Sequence, residues 1–403
     1  MKNKILIVTE CFYPEEFKIN EVAIEWQKKG YEVDVLTTVP TYPESKIYDG
    51  YENRWYQKDN WQGINIYRVK AVTGYKTSLF KKLLKYFSFM TLGSFVSLKI
   101  AKRYDYVFGF QVGALSSMFP AILLNKFYKK PVTLWIQDVW PDSVYAYGFK
   151  QTKILSYFLD GFVKFIYRYT TYFAISGEGF RSRVIPYIQD NQKILYAPNW
   201  ADVLEKNVDL FSFTKDDKVH FTFAGNIGKV QNLDIIIKAF AGLDKKYLEK
   251  AQLNIIGDGS ELVTLKSLVQ KHTFKNIIFH GRKPRDEMYK YFKASGFLIV
   301  SLIDKPIFRL TVPAKIQTYI ASKKPILAIL NGDAAKIIKD NNLGYTANPN
   351  EILEIQKVFI KAIKADKTTI INFTKNCDIL NNTMFNKNII INKLLDLTRD
   401  DLK

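Results

Sequence analysis

In the second half of this 403-residue chain, Gly, Lys and Arg recur just past short apolar runs, an arrangement that suits the holding of a phosphate. The sharpest instance is Phe221-Thr222-Phe223-Ala224-Gly225-Asn226-Ile227-Gly228-Lys229, a strand-like run entering a turn, with a helix expected from near Leu233. Glycines let backbone approach an anion, a helix start offers unpaired N–H groups, and Lys229 adds a full charge. Only two residues separate Gly225 from Gly228, and Val230 follows Lys229, so the turn is not a Walker A loop. A plain strand-to-helix turn accounts for it equally well. Ile256-Gly257-Asp258-Gly259-Ser260-Glu261 repeats the pattern, with Ser260 expected as N-cap and Glu261 in the first turn. Phe279-His280-Gly281-Arg282-Lys283-Pro284 sets two cations at a strand end, for phosphate or for solvent. A loop from Lys305 through Arg309, Leu310 and Thr311 to Pro313 leads into a helix start carrying Lys315 and Gln317. That start is suited to a pyrophosphate and a ribose, or is an ordinary Pro-initiated helix.

The first half offers different groups. Trp135-Ile136-Gln137-Asp138-Val139-Trp140-Pro141-Asp142 reads as a buried strand ending in a carboxylate. Asp138 there could orient or deprotonate a hydroxyl, or serve only as a turn residue. Glu10 to Asn20, with Tyr13 and Glu15, is an aromatic and polar loop of the kind that binds sugars or lipid headgroups, or simply packs. From Ser78 to Met90 a helical projection groups Ser78, Lys81, Lys82 and Lys85 on one face and Leu79, Leu83, Phe87 and Met90 on the other. Such a helix can lie in an anionic membrane interface, although packing of its apolar face in a core is the commoner arrangement. His220, His272 and His280 are not at metal-ligand spacing, and Cys11 and Cys377 form no cluster, so no metal site is expected. The acidic pairs Glu15-Glu16 and Asp216-Asp217 read as solvent-facing loops.

Parallel strands with helical crossovers are needed to present these turns on one side. Strand-length runs occur at Ile5–Thr9, Glu32–Thr38, Ile64–Val69, Tyr106–Phe110, Val132–Gln137, Tyr172–Ser176 and Lys193–Tyr196. The rhythm restarts at Val219–Ala224, Leu253–Ile256, Ile277–His280, Phe297–Ser301, Ile326–Leu330 and Gly344–Ala347. Between the two series lies Ala197-Pro198-Asn199-Trp200 and the polar stretch Asp202–Lys218, taken as a linker. The expectation is α/β: two doubly wound domains, 1–198 and 199–379, facing across a cleft, with a closing helix over about 380–403 packed back on the first. A total of 59 Lys plus Arg against 39 Asp plus Glu gives a net charge of +20, which favours phosphates or an anionic membrane. Two cysteines make no disulfide framework, so a reducing compartment is expected. The Ile5–Thr9 run is too short for a signal-peptide core, and no run reaches the roughly 18 uncharged apolar residues of a spanning helix.

Taken together, these motifs resemble the retaining glycosyltransferases of family 4, with the GT-B fold of two facing Rossmann-like domains. The branch they look most like is the bacterial O-antigen and capsule transferases similar to the N-acetyl-L-fucosamine transferases. The resemblance rests on Tyr13–Asn20, Trp135–Asp142, Ala197–Ala201, Ala224–Gln231, Gly257–Glu261 and Leu310–Gln317, in that order. It implies a nucleotide-sugar donor, UDP-linked, bound by Gly225, Asn226, Gly228, Lys229, Arg282, Arg309, Leu310, Thr311, Lys315 and Gln317. It implies an undecaprenyl-diphosphate-linked saccharide acceptor met by Tyr13, Glu15, Asn20 and Asp138 at the inner face of the cytoplasmic membrane. No nucleic acid, cofactor or metal is expected, with Lys229 and Arg282 neutralising the leaving diphosphate beside a catalytic Asp138. The chain departs from the family's paired Glu, with Arg309 and Gln317 at those positions, and from its His-Asp, with Gln137-Asp138. Two other readings stay open: a non-catalytic sugar-nucleotide-binding partner of a polysaccharide assembly complex, and a GT-B-fold nucleotide-sugar epimerase.

Overall fold

The computed structural model describes residues 3–146, 149–190, 192–201, 212–213, 217–271 and 274–399. Most of the expected linker (202–211 and 214–216, with Asp216) and His272 lie outside the described residues. The chain divides into two compact units, Met1–Pro198 with Asn388–Lys403, and Asn199–Lys387; they are called unit 1 and unit 2.

Unit 1 holds an eight-stranded sheet of β1 (Lys4–Val8), β2 (Glu32–Thr38), β3 (Tyr56–Trp61), β4 (Ile64–Val69), β5 (Tyr106–Gln111), β6 (Val132–Ile136), β7 (Tyr172–Ile175) and β8 (Lys193–Tyr196). The order is β3-β4-β2-β1-β5-β6-β7-β8, parallel throughout except for the β3–β4 hairpin. β3 has no counterpart among the expected strands, because Tyr-Gln-Lys-Asp-Asn-Trp contains no β-branched residue. Its turn places it instead: Gln62 (φ 51°) and Gly63 (φ 85°) both take the left-handed conformation of a tight two-residue hairpin.

Unit 2 holds β9 (Val219–Ala224), β10 (Ala251–Ile256), β11 (Ile277–Gly281), β12 (Phe297–Ser301), β13 (Ile326–Ile329) and β14 (Gly344–Ala347), in the order β11-β10-β9-β12-β13-β14. All pairs are parallel. Alternate residues serve opposite faces: Phe221, Phe223, Leu253, Ile255 and Ile299 enter one apolar core, and Ala224, Ile256, Leu298 and Val300 the other. Burial on both faces is why residues 297–300 and Ile326–Ile329 read as continuous apolar runs, while β9 and β10 bury His220, Thr222, Gln252 and Asn254 on one face. Each fully buried Ile, Leu or Phe among them contributes roughly 2 kcal/mol relative to exposure.

Three local expectations are corrected. The helix after β10 runs Leu262–Lys271, so Ser260 is not its N-cap; Glu261 N instead donates to Ile227 O at 3.0 Å, pinning this turn to the one after β9. The closing helix starts later than about 380: it runs Lys387–Arg399 and groups with unit 1, after a separate helix Lys367–Asn382 that ends at Thr383 (φ −119°, ψ −86°). They are separate because they serve different cores: Phe373 and Cys377 pack in unit 2, while Trp26 of unit 1 donates its indole N–H to Ile391 O at 3.2 Å.

The third correction concerns the helix Leu79–Ile100, capped by the Ser78 side chain accepting from Lys81 N. The commoner arrangement, with the apolar face in the core, is not the one found, and the lysine face divides: Lys81 is exposed and Lys85 is not. Lys85 points inward to Glu10, at 3.2 Å, and further along the same helix Phe89, Val96 and Ile100 are buried. Leu83 and Phe87 are exposed; the Leu79 side chain lies outside the description. By length and composition alone, one helix among the described residues, Phe80–Arg103, is apolar enough to cross a membrane, and 33% of its most apolar window is buried.

Candidate active site

In the strand order of unit 2, numbered by appearance, the sheet runs 3-2-1-4-5-6, and such sheets bind ligands beyond the carboxyl ends of the strands near the point where the order reverses. A cavity of about 930 Å³ lies there, lined by Gly225, Asn226, Gly257, Asp258, Arg282 and Lys315 on its polar side and by Met288, Phe292 and Tyr319 among others. Its floor is built from interlocked turns. Gly225 N donates to Ile256 O at 2.9 Å and Ile227 N to Asp258 O at 2.8 Å. Gly257 (φ +141°) must be glycine, since a Cβ there would sit 1.9 Å from Gly225 O.

Lys315 comes from the first turn of the helix Ala314–Ala321. Its ammonium lies 3.6 Å from the centroid of the Phe223 ring, and a Cβ on Gly225 would lie 2.7 Å from Lys315 Cε. Gly225 therefore makes room for a cation as well as for a turn. Tyr319 fixes the helix, its hydroxyl donating to Ile299 O and accepting from Ala224 N. Burial brings the Lys315 ammonium down to about 7, and no carboxylate among the described residues pairs with it. A desolvated cation facing a cavity gains most from an anion that restores its charge.

The other expected donor residues divide. Arg282 lines the cavity, exposed and without an ion-pair partner among the described residues. Asn226 lines it too, and Gly228 N is held by Gln231 Oε1 at 3.1 Å. Lys229 stands exposed on the short helical turn Lys229–Gln231 and is not among the lining residues. Arg309 is engaged twice by Asp304, at 2.6 Å for each contact, which holds the Asp304 carboxyl below its usual range. Leu310 is half-buried, and the Thr311 hydroxyl donates to Ile307 O at 2.9 Å. Gln317 is buried, and its amide nitrogen reaches Ala314 O and Pro313 O at 3.1 and 2.9 Å, turned onto its own helix start and away from the cavity lining.

In unit 1 the expected residues sit at the ends of β1 and β6. Tyr13 stacks on Trp61 with centroids 4.5 Å apart, its carbonyl accepting from buried Arg68 at 2.6 Å. Glu15, expected to face solvent, is buried: its Oε1 accepts from Thr41 N at 2.8 Å and Tyr42 N at 2.7 Å. Burial raises its carboxyl, against the pull of those two N–H groups. Asn20 Nδ2 donates to Glu15 O at 2.7 Å, while its Oδ1 is buried with no hydrogen-bond partner among the described residues. Asp138 Oδ2 accepts from Gly113 N at 2.7 Å, and burial again raises the carboxyl more than this bond lowers it. Gly113, Phe223 and Tyr319 were not singled out from sequence; only their neighbours in space give them a role. Among the described residues no cluster of His, Cys, Asp or Glu could hold a metal ion.

Residues 205–376 match the family model described as glycosyl transferases group 1. This group 1 segment covers nearly all of unit 2, including the cavity. Across both units the chain is similar to the probable glycosyltransferase WbjE of Pseudomonas aeruginosa, 25% identical over 64% of this chain and 67% of that protein. It is also similar to the putative colanic acid biosynthesis glycosyl transferase WcaI of Escherichia coli, 24% identical over 71% and 73%. Among solved structures, WaaG, a glycosyltransferase involved in lipopolysaccharide biosynthesis, superposes with a TM-score of 0.61 at 14% identity, covering 98% of this chain and 99% of that one. An E. coli trehalose-6-phosphate protein bound to UDP-2-fluoro glucose gives 0.72 at 10% identity, covering 98% and 99%. The fold is thus that of the GT-B glycosyltransferases, two Rossmann-like α/β units, and the group 1 segment coincides with the unit whose strand order carries the cavity.

Proposed function

We propose that this chain transfers a sugar from a UDP-linked donor to an undecaprenyl-diphosphate-linked saccharide during bacterial surface polysaccharide synthesis, at the inner face of the cytoplasmic membrane. The observation that carries this reading is Lys315, a half-buried ammonium that no carboxylate among the described residues pairs with, set against Gly225 in the wall of the cavity. In the transfer, the bond from the anomeric carbon to the diphosphate breaks, positive charge spreads over that carbon and the ring oxygen, and the leaving phosphate gains negative charge. Lys315, Arg282 and the N–H groups at the helix start are placed to stabilise that charge without a metal. Asp138 orients the acceptor hydroxyl whose oxygen forms the new bond, and its raised carboxyl suits it to take up the proton released. By the family resemblance the anomeric configuration is retained and the sugar is an N-acetylated deoxyhexosamine.

Purified protein is to be melted with a panel of UDP-, GDP- and dTDP-sugars, since a ligand of the folded state alone raises apparent stability. UDP and one UDP-sugar are expected to raise Tm, and that sugar is expected to be transferred to a lipid-linked acceptor in the presence of EDTA. No shift with any nucleotide overturns the reading. Gln317 turned onto its own helix and Arg309 held by Asp304 favour a second reading, donor binding without turnover; a Tm shift with no transfer and no donor isomerisation would establish it.

A further inference from the structure

The helix Leu79–Ile100 turns Phe80, Leu83, Leu84, Phe87, Thr91 and Phe95 outward, one row at three- and four-residue spacing over four turns. Phe80 and Phe95 are each 74% exposed and Phe87 57%. The helix Lys153–Arg168 does the same with Ile154, Tyr157 and Phe158, exposed by 73%, 78% and 66%. Both helices pack against the segment Leu115–Met118, so the two rows belong to one side of unit 1. Phe119, directly after that segment, stacks on Phe165 of the second helix with centroids 5.8 Å apart. Two unburied aromatic rows on adjacent helices exceed the scattered apolar exposure of an ordinary surface.

The charge around them has one sign. From residue 60 to 137 the sequence carries twelve Lys or Arg and a single carboxylate, Asp105, whose Oδ2 accepts from Lys4 N. Exposed Lys81 and Lys99 border the first row; Lys153, Lys164 and Arg168 stand exposed along the second helix. Its acid, Asp160, accepts from Tyr187 OH at 2.6 Å. We propose that unit 1 docks on an anionic lipid bilayer through these two rows, the rings entering the interface and the cations meeting lipid phosphates. A second protein copy would present the same cations to each other, whereas an anionic leaflet complements them. A spanning arrangement is disfavoured because Lys85, inside the apolar window, is held inward by buried Glu10. The docking names the membrane partner of the reading above and rests on that reading only for the lipid-linked acceptor; the measurement below needs no sugar.

The full chain is to be sedimented with vesicles of phosphatidylglycerol and phosphatidylethanolamine, and with neutral phosphatidylcholine vesicles, at low and high salt. Binding is expected to the anionic vesicles, weakened by salt, and reduced at least about tenfold in Phe80→Ser/Phe87→Ser/Phe95→Ser and in Ile154→Ser/Tyr157→Ser/Phe158→Ser. All six side chains are exposed, so the variants are expected to melt as the parent does, and the melt is the check on folding. Equal binding by parent and variants overturns the proposal, as does a parent that stays in solution with anionic vesicles. A lipid-insensitive dimer that the Phe variants dissociate also overturns it, assigning the rows to a second copy. UDP-induced stabilisation, followed without lipid in the same samples, reports separately on the donor site.

Discussion

Lys85 in unit 1 and Lys315 in unit 2 are both drawn from water, yet they end in opposite states. Burial pulls each ammonium down, but the Glu10 carboxylate at 3.2 Å more than offsets this for Lys85 and holds it well above its ordinary value. Lys315 has an aromatic ring and a glycine turn beside it, and stays depressed to about 7. The pattern extends to their surroundings. Unit 1 spends Glu15 on Thr41 and Tyr42 N–H groups and one Asp138 oxygen on Gly113, whereas unit 2 leaves Arg282 and Lys315 facing a cavity. A buried charge with its partner inside the protein is architecture; one without is a place for a ligand.

Exchanging each lysine for methionine tests that contrast most strongly. Lys315→Met is expected to remove the UDP-induced rise in Tm and to lower transfer by roughly two to three orders of magnitude, the range for losing one stabiliser of a developing anion. It should leave the unliganded protein at least as stable as before. Lys85→Met is expected to cost about 3–5 kcal/mol in denaturant unfolding, because Glu10 is left buried and uncompensated. A Lys315→Met protein that still responds to UDP would break the comparison.

The same pair sets opposite signs against pH. Between about 7 and the ordinary lysine value the unfolded chain binds more protons at position 315 than the fold does, so this group's contribution makes stability rise with pH there. Lys85 stabilises fully below its unfolded value and loses that contribution only as pH climbs toward its raised folded one. Titration calorimetry with a UDP-sugar near pH 8, in buffers of different ionisation enthalpy, should show uptake of up to one proton in the parent and none in Lys315→Met.

How the chain could be read before folding follows from the same contrast. The strands of unit 2 were legible because both faces are buried, which writes residues 297–300 and Ile326–Ile329 as unbroken apolar runs and leaves only His220 and Thr222, both buried, between the apolar residues of Val219–Ala224. β3 was not, since an edge strand made of Tyr-Gln-Lys-Asp-Asn-Trp owes its place to a turn and to β4. A helical projection separates the two faces of Leu79–Ile100 but does not say which meets the sheet; Glu10, distant in sequence, decides that. The glycine turns and Lys315 were visible as types at spacings, while the inward turn of Gln317 and the clamp made by Glu15 depend on carbonyl and amide groups that only the folded backbone brings within reach.

Two smaller effects sharpen the account of unit 1. Asp138→Asn keeps an oxygen for Gly113 N, so it should lower transfer about a hundredfold while leaving UDP affinity unchanged by calorimetry. Glu15→Ala strands two N–H groups and is expected to cost about 2 kcal/mol, whereas Glu15→Gln keeps an accepting oxygen and should cost less than about 1 kcal/mol. Because burial raises the Glu15 carboxyl, its contribution is present below the unfolded carboxylate value and lost as pH rises through the folded one; Glu15→Gln should flatten that limb of the Tm profile.

The helix Lys387–Arg399 places unit 2 as an insertion within the sequence of unit 1. On the ribosome, the unit started first is therefore finished last. Until residues near Ile391 emerge from the exit tunnel, the nascent chain holds Trp26 without the carbonyl its indole donates to, while unit 2 already has all its strands. Premature termination after Asn382 would spare the strands around the Lys315 cavity and strike the sheet made at the start of translation.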